Sequence, residues 1–495
     1  MKKTLLFSLA MLPIVNGMAQ EQEKKPNIIL FLVDDMGWQD TSLPFWNQKT
    51  MYNERYETPN MERLARQGMM FTQAYACSIS SPTRCSLMTG CNAARHRVTN
   101  WTLEKDKSTD GETEVLNLPV WNINGIAQVP GTEHTFVGTS FVELLRENGY
   151  HTIHCGKAHW GAIDTPGENP CHFGFETNIC GHAAGGLATY LSERNYGHDE
   201  KGNPTSLMAI PGLEHYWQTG TFATEALTQE ALKALDKAKA YNQPFYLYMS
   251  HYAIHAPWEP DTRFLDKYLN MGISEFQAKY ASMLESMDKS LGDIMALVRR
   301  LGIENNTILI FMSDNGQPKQ SVSNTPLRGH KISPYEGGIR VPMIVEIPRV
   351  TKGGSVCNCP VIIEDIFPTI LSLAHASAYK DVYTCDGIDI TPFFRGEYIK
   401  GYENREFYWH FPHIYDQYPY SVIRKGDYKL IYRYDTQSIE LYNIAKDISE
   451  SQNLADRESK IRKELLYLLK KQIKSTHADI PISKKTGQEV EIVDR

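Results

Sequence analysis

The chain has 495 residues, 42% hydrophobic and 22% charged, the proportions of a globular protein long enough for one large domain and a smaller one. A formal charge of -7 argues against nucleic-acid binding, so any anionic substrate must be drawn by a local cluster of cations. Beyond the N-terminus, no stretch is long and apolar enough to span a bilayer, which argues against stable membrane insertion.

The N-terminus has the pattern of a targeting segment. Lys2 and Lys3 precede an apolar run from Thr4 to Val15, and Gly17-Met18-Ala19 offers a cleavage site after Ala19. Gln20, not cysteine, follows the cut, so the expected product is an exported protein, periplasmic or secreted, without a lipid anchor. Nine cysteines, an odd number, leave at least one unpaired; the expectation is buried thiols with one or two disulfides.

Asn27 to Val33 is a short, β-branched, nearly continuous apolar run, as expected of a strand buried on both faces. It ends in Asp34-Asp35, and the carboxyl ends of such strands are where open α/β sheets place ligands. Thr58-Pro59 reads as the N-cap and first residue of a helix that Gly68 closes. Ser80-Ser81-Pro82-Thr83-Arg84 follows, with Pro82 suited to the first turn of a helix ending near Thr89-Gly90. Ser80 then sits at the positive end of that helix, and Arg84, one turn on, adds a planar charge suited to a tetrahedral oxyanion.

Residues 100–135 read as a long loop carrying Trp101 and Trp121. A helix is expected from Phe141 to Glu147 and a strand from Tyr150 to His154, followed by Gly156-Lys157-Ala158-His159-Trp160-Gly161. Residues 165–220, rich in Gly, His, Asn and Tyr, suit a substrate-facing surface more than a core. A helix from Thr224 to Ala240 and a strand from Phe245 to Met249 lead into Ser250-His251 and then His255-Ala256-Pro257. Tyr280 to Arg300 carries an apolar stripe at helical spacing and reads as a core helix. Thr307 to Met312 is again a buried strand, ending in Ser313-Asp314-Asn315-Gly316. A strand from Val341 to Ile347 and a helix from Ile362 to His375 complete an alternation that argues for α/β architecture with a large, mostly parallel sheet flanked by helices. From about Asp386 the texture changes: a hairpin around Lys425-Gly426-Asp427 and a helix from Glu458 to Lys474 suggest a smaller α+β subdomain.

Asp34, Asp35, Asp314 and Asn315 offer three carboxylates and an amide from two strand ends, a set suited to a hard divalent cation. Either pair alone is equally an ordinary turn; two such pairs, each directly after an apolar strand, favour a metal site.

The Ser80-x-Pro82-x-Arg84 spacing with Thr89-Gly90 resembles the serine-type signature of the type I, formylglycine-dependent sulfatases of the alkaline phosphatase superfamily. Thr83 stands where serine is usual. Asp34-Asp35 and Asp314-Asn315-Gly316 are similar to the family's metal ligands, and Lys157, His159, His255 and Lys331 fall in segments similar to its basic motifs. His330 stands where glycine is usual, which puts the local backbone in question. The resemblance runs from residue 26 to about 455 and implies an alkaline-phosphatase-like fold, with a catalytic domain over 20–385 and a C-terminal subdomain over 386–495 contributing to the substrate pocket.

The resemblance also implies a chemistry. An anaerobic formylglycine-generating maturase would oxidise Ser80 to the aldehyde, whose hydrate attacks sulfur beside Ca2+, with Mg2+ the alternative ion. Ser80 would then join Asp34, Asp35, Asp314 and Asn315 at the metal. Arg84, Lys157 and Lys331 would hold the sulfate, with Lys331 assisting the bridging oxygen. His255 would protonate the departing sugar oxygen, and His159 would assist release of the bound sulfate. A sulfated carbohydrate, galactose or N-acetylgalactosamine sulfate among the candidates, is the expected substrate. Trp101, His182, Tyr190, Trp258, His410 and His413 are its expected rim. A phosphodiesterase or phosphonate hydrolase of the same superfamily, or a glycan-binding relative whose Ser80 is never oxidised, are the alternatives.

Overall fold

The computed structural model describes residues 24–321, 324–376 and 384–494; the expected targeting segment 1–19 lies outside them. Among the described residues, nine strands form one twisted sheet. In spatial order they are Ser355–Cys357, Met69–Tyr75, Arg340–Glu346, Thr307–Ser313, Asn27–Val33, Phe245–Ser250, His151–Gly156 and Thr177–Ile179, with Val361–Ile362 also paired to Met69–Tyr75. Arg340–Glu346 runs antiparallel to both its neighbours, and every other pairing is parallel.

The central strand shows why its sequence is apolar throughout. Ile28, Leu30 and Leu32 point into one core, while Ile29, Phe31 and Val33 point into the other. The second core receives the helices Ala223–Ala240 and Glu275–Arg300. The first receives the helix Ser80–Thr89 and the helix Phe141–Glu147. Pro368 sits in the first turn of the helix Ile366–Leu373, where its missing N–H costs nothing.

The C-terminal region forms a four-stranded antiparallel sheet, Glu406–Phe411, Tyr420–Lys425, Tyr428–Arg433 and Ile439–Asn443. Its period-two alternation serves two layers. Phe407, Trp409 and Phe411 join the first core of the large sheet, and Tyr408, Ile423 and Leu430 face the helix Ser459–Thr476. No helix among the described residues is long and apolar enough to cross a membrane, and no cysteine among them is in a disulfide.

Three expectations need correction. The nine cysteines, all among the described residues, are free thiols and form none of the one or two expected disulfides. Residues 165–220 are largely irregular, yet Phe173, Phe175, Tyr190, Tyr196, Ile210 and Leu213 are buried core. Their rings fill the two cores from loops, which hydrophobic periodicity does not reveal. Thr58 does precede the helix Pro59–Gln67, but its hydroxyl makes no cap. It accepts instead from the Ser42 amide at 2.9 Å, and Asp288 of the long helix accepts the amides of Asn60 and Met61 at 3.0 and 2.8 Å.

Candidate active site

Strand register assembles the site. Val33 pairs with Ser313, so Asp34 and Asp314 leave adjacent parallel strands at the same level. Leu32 and Gly156 both pair with Ser250, which brings Lys157 and the segment 251–257 to that same carboxyl edge. Gly156 has φ 101°, and a Cβ there would stand 1.9 Å from the Ser250 carbonyl oxygen, so only glycine lets the chain turn so close to its neighbour.

Asp34, Asp35 and Asp314 are buried, with ligand oxygens all within 4.8 Å of one another. Asn315 Nδ2 donates to Asp35 Oδ1 at 2.7 Å. Ser80, the first residue of its helix, carries Oγ to 3.2 Å from both Asp34 Oδ1 and Asn315 Oδ1. Lys157 Nζ donates to Ser80 Oγ at 3.0 Å and to Asp34 Oδ2 at 2.6 Å. Arg84 donates through Nε to Asp314 Oδ2 at 2.9 Å and through Nη1 to Ser250 Oγ at 2.5 Å, and Lys331 Nζ lies 2.7 Å from Asp35 Oδ1. Asp35 and His159 both adopt φ 60°, a left-handed backbone that non-glycine residues occupy at a cost.

Electrostatics follow from burial and crowding. Burial, reinforced by Asp314, pushes Asp34 up to about 8 despite Lys157 beside it. Burial opposes ionisation of Asp35 as well, but Lys331 and His255 outweigh it and hold that group below the usual carboxylate range. Burial brings Lys157 down to about 8 and His255 down to about 4, with Lys331 adding to the latter. His159 lies well below its usual value through burial and then Lys157. Its Nε2 donates to the Thr102 carbonyl at 2.9 Å, which leaves Nδ1 as a bare acceptor without a partner. In His255, Nδ1 donates to the Ala256 carbonyl at 2.8 Å, so Nε2 faces Asp35 Oδ2 at 3.9 Å.

A cleft of about 520 Å³ opens above these groups, with Ser80, Lys157, His159, His255 and Lys331 reaching it from below. Of the six residues expected on its rim, Trp101 and Trp258 line it. The other four do not. Tyr190 is buried, its hydroxyl spent on the carbonyls of Tyr252 and His255 at 2.8 and 2.9 Å. His182 supports the site through its backbone, its carbonyl accepting from the His159 amide at 3.4 Å. His410 faces away, because it shares parity with Tyr408 on the strand; its ring nitrogens meet Ser421 Oγ at 2.7 Å and the Asp479 carbonyl at 2.8 Å. His413 is buried between Asp110 Oδ1 at 2.8 Å and Thr99 Oγ1 at 2.7 Å.

The cleft also contains residues that sequence patterns did not single out. Tyr415 and Asp416 reach it from the C-terminal region, and Lys319 from the loop after Asn315. Gly185 and Gly186 lie against His159 and His255, and their doubled glycine was the visible signal. His330 lines the cleft too, and the left-handed backbone falls on its neighbours Gly329 and Ile332 rather than on it.

A mostly parallel sheet whose strand ends gather acidic oxygens, a helix-borne hydroxyl and several cations defines a hydrolase of anionic esters with the alkaline-phosphatase-like architecture. Residues 26–376 match the sulfatase family, and residues 330–479 match the C-terminal region of N-sulphoglucosamine sulphohydrolase. The chain belongs to the sulfatase family, enzymes that hydrolyse sulfate esters. A sulfatase of Formosa agariphila is 30% identical over 91% of this chain and 89% of its own length. The N-acetylgalactosamine-6-sulfatase of Mus musculus is 30% identical over 78% of this chain and 69% of its own. The crystal structure of Ps i-CgsB in complex with k-i-k-neocarrahexaose superposes with a TM-score of 0.73 at 26% identity, covering 91% of this chain and 93% of that one.

Proposed function

We propose that this chain is an exported sulfatase that removes an O-sulfate from a sulfated glycan, with oxidised Ser80 as nucleophile beside a divalent cation. The observation that carries this reading is the convergence on Ser80 Oγ. It sits at a helix N-terminus, 3.2 Å from Asp34 and Asn315 and 3.0 Å from Lys157. Export is supported by the segment from Lys2 to Ala19. The glycan is supported by the N-acetylgalactosamine-6-sulfatase likeness and by the neocarrahexaose complex of the structural relative.

The residues fit a cation. Three buried carboxylates crowd together, and Asp34 remains pushed up to about 8 even beside a lysine, so the protein's own charges do not settle it. Asp34, Asp35, Asp314 and Asn315, with Ser80, would hold Ca2+ or Mg2+ through an all-oxygen set. The ion supplies charge that offsets the sulfate oxygens, and the aldehyde hydrate made from Ser80 supplies the second hydroxyl needed to release bound sulfate. Around them, Lys157 and Lys331 hold the sulfate, while Arg84 fixes Asp314 from behind. His255 presents Nε2 to the leaving sugar oxygen while the Ala256 carbonyl fixes the ring through Nδ1; Nε2 is bare at rest, takes up a proton when the bound anionic sulfate offsets Lys331, and passes that proton to the departing oxygen. His159 offers the bare Nδ1 as a proton acceptor.

The test is to produce the protein alongside a formylglycine-generating maturase, weigh the Ser80 peptide, and assay sulfate release from defined sulfated sugars. Loss of a pair of hydrogens from the peptide together with turnover is the expected result. Faster cleavage of aryl phosphodiester than of aryl sulfate would move the assignment to a phosphodiesterase. An unmodified Ser80 with glycan binding but no turnover would make the protein a binding relative.

A further inference from the structure

The floor and the mouth of the cleft differ in charge. On the floor, Lys157 and Lys331 are each committed to a buried aspartate, at 2.6 Å to Asp34 and 2.7 Å to Asp35, and Arg84, buried behind it, lies 2.8 Å from Asp314. At the mouth, Lys319 Nζ meets Asp416 Oδ1 at 3.0 Å across two loops. Among the described residues lining the cleft, Lys319 is the one lysine or arginine outside the floor, and Asp416 cancels its charge. The rest of the wall carries no lysine or arginine and sets the polar Gln320 and His330 among aromatic and apolar side chains. Trp101 is edge-on to Tyr415 at 5.9 Å, Trp258 is edge-on to Phe276 at 5.1 Å, and Met208 lies beside them.

This arrangement suits one sulfate and no second anion. A sugar presents C–H faces to aromatic walls and hydroxyls to a carboxylate, which has lone pairs left after one ion pair. A second sulfate or a carboxylate on the same sugar would meet a mouth whose one lysine is already held by Asp416, and binding it there would mean breaking that pair beside an acidic group. The pair itself adds little stability, because its side chains are 62% and 36% exposed and solvent screens them. Its consequence is a neutral mouth.

Resting on the sulfatase reading above, we propose that the subsite beside the sulfate accepts a neutral, singly sulfated sugar, and that Asp416, paired with Lys319, is the residue that rejects doubly anionic ones.

The experiment compares kcat/KM for monosulfated galactose and N-acetylgalactosamine with their disulfated counterparts, each rate divided by the same protein's rate on aryl sulfate. The native enzyme is expected to favour the monosulfated sugars by about 10-fold or more, and Asp416→Asn to narrow that ratio by about 5-fold, mainly through KM. Equal or reversed preference in the native enzyme, or an unchanged ratio in Asp416→Asn, overturns the proposal. Calorimetric titration of the same sugars into Ca2+-loaded Ser80→Ala protein gives a readout free of turnover. Silence on aryl sulfate with the binding preference intact rejects the sulfatase reading alone, whereas tighter binding of disulfated sugars, or no binding of either kind, rejects the subsite.

Discussion

The hydroxyl of Tyr190 lies 2.9 Å from the carbonyl oxygen of His255 and 2.8 Å from that of Tyr252. One buried O–H thus holds both ends of the turn that aims the His255 ring at Asp35. Glu259 Oε2 steadies Tyr190 in turn, accepting from its amide at 2.7 Å. Tyr190→Phe keeps the ring, which stacks on Phe222 at 5.1 Å, and removes the tether. A lost buried hydrogen bond costs about 1–2 kcal/mol, so turnover of a sugar sulfate should fall by about 10-fold. The loss should be smaller on aryl sulfate, whose leaving group needs less protonation. Equal losses on both substrates would show that Tyr190 supports the fold rather than His255.

Gly185 and Gly186 set the other side of the same histidines. A Cβ at Gly185 would stand 2.2 Å from His159 Cε1, while one at Gly186 would stand 3.0 Å from His255 Nδ1. The His159 ring is buried and tied to Thr102, so it has nowhere to retreat. Gly185→Ala should therefore reduce kcat by about 10-fold or more, with Gly186→Ala distinctly milder. Steady-state kinetics of the two variants, checked by circular dichroism for intact folding, decides this.

Three buried carboxylates at one edge of a sheet should respond to a cation by stabilisation. Ca2+ added to chelator-treated protein is expected to raise the melting temperature, since a ligand at one hundred times its Kd contributes about 2.7 kcal/mol. Asp314→Asn should abolish that rise and the activity together, because Asp314 also anchors Arg84. A melting temperature indifferent to Ca2+ and Mg2+ would remove the cation from the account.

Sequence patterns disclosed the site where chemistry follows directly on a buried strand. Asp34-Asp35 and Asp314-Asn315 each end a run that can only be interior, and strand register then brings them together. The same logic failed for His410 and His413, which stand in an aromatic stretch that looks like a rim. Their direction depends on strand parity and on partners 69 and 303 residues away, Asp479 and Asp110, and local composition reports neither. Tyr190 was invisible as a support for a similar reason, since the His255 turn it holds is 65 residues on. Asp416 and Lys319 meet only because two loops from distant parts of the chain face one another.

Glu364 offers a test of stability separate from the active site. It is buried, accepts from Asn92 Nδ2 at 3.0 Å through Oε1, and leaves Oε2 without a partner. Burial, against a smaller backbone contribution, pushes it from 4.5 up to about 8. A carboxyl whose folded pKa exceeds its unfolded one binds its proton more tightly in the folded chain. It therefore costs nothing below pH 4.5, and its penalty grows as pH rises from there to about 8. Glu364→Gln keeps the shape and removes the titration. The variant should melt near the native temperature at pH 5 and above it at pH 8, by at least about 2 °C. Calorimetric scans at the two pH values check the sign, and a variant that gains nothing at pH 8 would mean that Glu364 remains ionised in the folded protein.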